Sequence, residues 1–133
     1  MRVVIDTNVF VSSFFGGKPR AVLRLWHEGR FTLCVSADIV EEYATVLGRM
    51  GLGPGGELAT LLGKVTTGPN VVFATDPPAV RLVEADPDDD KFVACALAVG
   101  ARYIVSGDRH LLALRSVPPV EILPPARFLE LFR

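Results

Sequence analysis

Cysteine and histidine are scarce, with two of each in 133 residues. No close-spaced Cys/His pattern is available to hold zinc. Cys34 and Cys95 lie inside apolar runs, where small core residues are expected, and a reducing cytoplasm suits them. An excess of one charge is also missing. Fourteen basic residues face fifteen acidic ones, for a net charge of -1. The whole-chain field therefore exerts no pull toward nucleic acid, and nucleic-acid chemistry would need a local basic rim or metal ions. No uninterrupted apolar run approaches the roughly 20 residues of a membrane span. The N-terminus lacks a charged region followed by a long apolar core, so no signal peptide is expected. No Gly-x-Gly-x-x-Gly follows the first apolar run, which disfavours a dinucleotide-binding domain. Internal repeats and linkers are absent too, so residues 1–133 read as a single domain.

What remains is a globular composition, half hydrophobic, with strands and helices in alternation. Val3-Val4-Ile5 is a short β-forming run that reads as a strand buried on both faces. Val9 to Phe15 begins a helix, and Gly16-Gly17 ends it. Pro19 suits the first turn of a helix running to about Glu28. Phe31 to Val35 is a second strand, after which Ser36 can cap a helix from Ala37 to about Met50. Gly51 to Gly56 reads as a turn, and Glu57 to Val65 as a further helix. Val71 to Phe73 is a third strand. Phe92 to Val99 is an apolar, Ala-rich helix ended by Gly100. Tyr103 to Ser106 is a fourth strand, Leu111 to Leu114 a helical turn, and Val120 to Leu123 a fifth strand. Pro124-Pro125 opens the last helix. This alternation predicts a three-layer α/β domain with a mainly parallel five-stranded sheet flanked by helices.

Four acids stand at informative places. Asp6 closes the first strand, at the rim where open parallel sheets bind ligands. It could equally cap the next helix. Thr7 or Asn8 could serve as the cap instead and leave Asp6 free. In the helix from Ala37, roughly 100° per residue puts Ile39, Tyr43, Val46 and Met50 on one stripe. Glu41 points away from it. Glu42 lies on its edge and needs a partner, such as an arginine, if it does not reach solvent. Asp86-Pro87-Asp88-Asp89-Asp90 precedes the most apolar helix. Asp89 shares a helical face with Phe92, and Asp90 and Asp88 are its register alternatives. Asp86 and Asp88 read as loop or cap residues. Asp108 follows a strand as Asp6 does, and Gly107 permits a tight exit from the sheet. It too could be a cap. Carboxylates gathered together raise one another's pKa, so a site that keeps several ionised needs cations. Oxygen ligands suit Mg²⁺ or Mn²⁺.

These stretches resemble the PIN domain, most closely the VapC-like toxin components of toxin–antitoxin pairs. The resemblance spans the whole length. It is carried by Val3-Val4-Ile5-Asp6-Thr7-Asn8, by Ser36 through Glu42-Tyr43 to Leu47, by Asp86 to Phe92, and by Ile104 to Asp108 followed by Leu111-Leu112. It implies a Mg²⁺- or Mn²⁺-dependent endoribonuclease with Asp6, Glu42, Asp89 and Asp108 at the metal site and Asn8 and Ser106 in support. Ser106 stands where the family often has Thr, and Asp90 where close relatives often have Asn. The resemblance further implies a small Rossmann-like sheet, a homodimer, an RNA substrate and a small antitoxin covering the cleft. Lys91, Arg109 and His110 lie near the acids and read as surface charge.

Alternatives are an RNA-processing nuclease without an antitoxin, and a non-catalytic binding module on the same fold. The second would be marked by a missing acid, and none is missing. A dehalogenase-type phosphatase would carry Asp where Asn8 stands. A receiver domain would have paired acids before Asp6.

Overall fold

Val3, Val4 and Ile5 carry no exposed surface, and the strand they form, β1 (Arg2–Ile5), lies inside a six-stranded sheet. The computed structural model describes residues 1–51, 63, 65, 68–84 and 86–133. After β1 come α1 (Thr7–Ser12), a 3₁₀ turn (Ser13–Phe15) and α2 (Gly17–His27). Then follow β2 (Thr32–Ser36), α3 (Ala37–Arg49) and β3 (Val71–Ala74). A second 3₁₀ turn (Pro87–Asp89) leads into α4 (Asp90–Val99). The chain closes with β4 (Tyr103–Val105), α5 (Arg109–Leu114), β5 (Ser116–Val117), β6 (Val120–Leu123) and α6 (Pro125–Glu130). The expected turn and helix between Gly51 and Val65 fall largely outside the described residues.

The strand order is β3-β2-β1-β4-β6-β5. All pairs are parallel except β5 with β6. The expected sheet of five strands thus gains a sixth. It is a two-residue edge piece, Ser116–Val117, that folds back on Val120 and Glu121. Two residues are too few to display a strand period. The long apolar run after Asp6 divides: a helix ends at Ser12 and a 3₁₀ turn follows. Gly100 ends α4 with a φ of 65°, the left-handed conformation of a helix stop. Gly107 behaves differently from expectation. It has no positive φ, and among the described residues a Cβ there would meet no atom within 4 Å.

The packing that matters most runs between α1, α3 and β1. Tyr43 is fully buried. Its ring stacks on Phe10 with centroids 4.0 Å apart and planes within 4°. Its hydroxyl donates to the Ile5 carbonyl. A buried phenol must find an acceptor, and this one fixes α3 at the end of β1. At the far end of the sheet, Phe128 of α6 packs edge-on against Phe31 and Tyr103. Trp26 is 3% exposed and belongs to the core, whereas Phe15 is 69% exposed. Among the described residues no helix is long and apolar enough to cross a membrane.

Candidate metal centre

From β1 the sheet is built outward to β2 and β3, and β4 then returns on the other side of β1. The chains leaving β1 and β4 diverge at neighbouring strand ends. This reversal of strand order opens a crevice beyond the carboxyl ends of a parallel sheet. Asp6 and Ser106 are the first residues into it. The Asp6 amide still donates to the Val105 carbonyl at 3.0 Å, so the two loops start in register.

The strand-end acids are tied down by hydrogen bonds. Asp6, 3% exposed, accepts from the Val9 amide on Oδ1 at 2.9 Å and from the Ser106 hydroxyl on Oδ2. Asp6 is thus itself the cap of α1, and neither Thr7 nor Asn8 takes that place. Capping and site-facing roles coexist because a carboxylate has two oxygens. Ser106 is fully buried, and its Oγ accepts from the Asp108 amide at 2.9 Å. Asp108 caps α5 with one oxygen, which accepts from the His110 and Leu111 amides at 2.7 and 3.3 Å.

Glu42 arrives because its neighbour Tyr43 is anchored in the core. One of its oxygens accepts from the Thr7 hydroxyl, the other from Lys91 Nζ at 2.8 Å. The partner that its core-edge position demanded is a lysine at the start of α4. Glu41 is exposed, as its angle on the helix predicts.

The acidic run divides by geometry. Asp90 turns back, and its Oδ1 accepts from the Leu82 and Val83 amides at 2.9 and 2.8 Å. Asp89 faces the crevice. Together Asp6, Asn8, Glu42, Asp86, Asp88, Asp89 and Asp108 line a cavity of about 200 Å³. One carboxylate oxygen each from Asp86, Asp89 and Asp108 lie within 4.8 Å of one another. Asp86 and Asp88 therefore line the site and are not merely loop or cap residues. Asp86 shares its side with Asp89 because the 3₁₀ turn eclipses residues three apart; the Asp89 amide donates to the Asp86 carbonyl at 3.0 Å. Pro87 at the turn's first position was the available clue. Thr7 and Lys91 as partners of Glu42 left no signal in the sequence, since both contacts are tertiary.

Crowding and burial act on Asp89 and Asp6. Burial is the largest cause lifting Asp89 to about 7, with Asp86, Asp108, Asp6 and Glu42 adding repulsion. Asp6 is raised to about 6, again chiefly by burial. The bonds from Ser106 and Val9 pull it down, and Asp108 and Glu42 push it up. Asp89 differs from its neighbours in a further respect. Its Oδ2 is buried and has no hydrogen-bond partner among the described residues. A buried oxygen of this kind is costly unless something positive meets it.

A parallel α/β domain with carboxylates converging at its switch point defines a small class of proteins. The profile of the PIN domain matches residues 2–110, and the chain belongs to the PIN domain family. Among solved structures it is similar to VapC20 of Mycobacterium tuberculosis, a toxin that cleaves the sarcin–ricin loop. The TM-score is 0.58 with 17% identity, over 86% of this chain and 96% of that one. At that identity the likeness is one of fold. No curated protein matches the chain.

Proposed function

We propose that the protein is a metal-dependent endoribonuclease and the toxin of a toxin–antitoxin pair. The observation that carries the metal requirement is the buried Oδ2 of Asp89, without a hydrogen-bond partner among the described residues, beside carboxylate oxygens of Asp86 and Asp108. A donor set made only of carboxylates, with water to complete it, fits a hard divalent cation such as Mg²⁺ or Mn²⁺. Asp6, Asp86, Asp89 and Asp108 would hold it. A divalent ion bound there supplies a nucleophilic water near neutral pH and charge neutralisation on a phosphoryl oxygen. The other residues do the positioning. Ser106 locks Asp6 to Asp108. Glu42, held by Thr7 and Lys91, stands where it can orient the attacking water or share a second ion. Asn8, exposed at the mouth, supports the site from the first turn of α1. No side-chain nucleophile is required.

RNA as substrate is supported by family membership and by the fold shared with an RNA-cleaving toxin. With the toxin role we propose a small antitoxin as partner, a homodimer and a cytoplasmic setting. The test is cleavage of single-stranded and structured RNA with Mn²⁺ or Mg²⁺, beside an Asp6→Asn protein. Cleavage that survives in excess chelator or in Asp6→Asn would overturn the proposal. Co-purification with the product of a neighbouring small reading frame tests the toxin role.

A further inference from the structure

Beside the carboxylate cavity lies another of about 370 Å³, and Asp88 lines both. Its lining joins two chemistries. Pro77, Pro78 and Val80 form an apolar wall, and Asp38 and Asp88 contribute carboxylates. The wall is pre-set. Proline rings fix their own backbone, and the chain just beyond them is tied to Asp90 through the Leu82 and Val83 amides. A preformed cavity lowers the ordering cost of binding. Asp38 sits in the first turn of α3 and is exposed. Among the described residues no hydrogen bond or ion pair engages its carboxylate.

A phosphate does not suit this cavity. Its acids outnumber its one cation, Lys91, whose ammonium is already held 2.8 Å from Glu42. A nucleobase does suit it. A base is neutral, it has flat faces to lie against proline rings, and its edge carries N–H donors for a carboxylate. Guanine alone offers two adjacent donors, the ring N–H and the exocyclic amino group, to both oxygens of one carboxylate. Adenine and cytosine set an acceptor beside their amino group, and uracil flanks its single N–H with two carbonyls. Each of these would turn a lone pair toward the acid.

We propose that this cavity is a guanine subsite, with Asp38 reading the Watson–Crick edge of a base beside the cleaved phosphodiester. Its place next to the cleaved bond rests on the nuclease reading above; the binding of the base does not. The subsite requires single-stranded RNA, because a paired guanine has that edge occupied.

Two arms test it separately. In the first, metal-free protein is titrated with guanosine, inosine and adenosine, and amide NMR shifts of Asp38, Val80 and Ala94 are followed. Guanosine should bind roughly tenfold or more tighter than adenosine, with inosine between them because it lacks the amino group. Asp38→Ala should erase the difference, and Asp38→Asn should tilt it toward adenosine, whose donor–acceptor edge matches an amide. Equal binding, shifts elsewhere, or a preference that survives Asp38→Ala would overturn the subsite. In the second arm, RNA substrates carrying guanine or adenine beside the cleavage point are compared by kcat/KM. A preference of roughly 10- to 100-fold is expected in the wild type, collapsing toward one in Asp38→Ala. Cleavage without base preference sinks the subsite alone. Absence of any cleavage sinks the nuclease reading and leaves the titration to decide the subsite.

Discussion

Asp6 and Asp89 line the same cavity but belong to unlike halves of it. The half built from strand ends is saturated. Both oxygens of Asp6 are bonded, Ser106 links it to the Asp108 amide, and Asp108 caps its own helix. The half built from the 3₁₀ turn is not. Asp89 has a buried oxygen with no partner among the described residues, and Asp86 makes no capping bond with its side chain. Burial and repulsion lift Asp89 to about 7, above the value of about 6 for Asp6, although Asp89 is the less buried of the two. The difference lies in the hydrogen bonds, which favour ionised Asp6 and have no counterpart at Asp89. One half is a rigid frame, and the other holds the acid that the proposed cation would meet.

The strongest test of this contrast replaces one acid from each half. Asp6→Asn and Asp89→Asn should both lower RNA cleavage by roughly three orders of magnitude, the scale on which a preorganised charged group acts. Their effects on metal-free stability should diverge. Asn caps a helix well, but its amide cannot accept on both sides as Asp6 does, so Asp6→Asn should cost about 1–2 kcal/mol. Asp89→Asn removes a repelled charge whose buried Oδ2 has no hydrogen-bond partner among the described residues, and should leave the melting temperature unchanged or higher. Equal destabilisation in thermal melts would break the comparison.

Metal should act through the turn. Mn²⁺ at a hundred times its dissociation constant should stabilise the fold by about 2.7 kcal/mol, and Asp89→Asn should lose most of that gain. The pH dependence follows from the same acids. Asp6 and Asp89 have folded values of about 6 and about 7, against 3.8 for an ordinary Asp. Between about pH 4 and about 7, the metal-free folded state therefore holds more protons than the unfolded state, so these two groups make stability fall as pH rises and level off above that window. A cation competes with those protons, so stabilisation by Mn²⁺ should grow over the same window. Melts across pH, with and without Mn²⁺, read both slopes. Parallel curves would contradict the assignment of the shifts to the metal site.

A further effect is expected within the strand-end half itself. Ser106→Ala removes the hydroxyl that donates to Asp6 and accepts from the Asp108 amide. Stability should drop by about 1–3 kcal/mol, since buried partners are left unsatisfied. Ser106→Thr, which keeps the hydroxyl, should recover most of it in the same denaturant titration.

The frame was more legible in the sequence than the turn. Val3-Val4-Ile5 and the Ala-rich run from Phe92 carry their burial in their composition, and Asp6 and Asp108 stand where strands must end. Glu42 was legible through the stripe that Tyr43 anchors. All four acids singled out line one cavity. The facing of Asp86 and Asp88 was not legible, because a 3₁₀ turn follows no apolar period. Lys91 read as surface charge for a similar reason. Its pairing with Glu42 spans 49 residues and depends on how α3 and α4 meet. The edge strand Ser116–Val117 was too short to announce itself.

Gly107 offers the mildest test, and it bears on what holds Asp108 in place. The sequence invites the reading that glycine's freedom allows a tight exit from β4. Its backbone shows no positive φ, and a Cβ meets nothing within 4 Å among the described residues. The turn is held instead by the Ser106 hydroxyl on the Asp108 amide and by the Asp108 cap on α5. Gly107→Ala should then be neutral or stabilise by up to about 1 kcal/mol, because alanine has less freedom to lose from the unfolded chain. Destabilisation of the purified variant in urea would mean that the backbone at Gly107, and not the hydroxyl beside it, sets the position of Asp108.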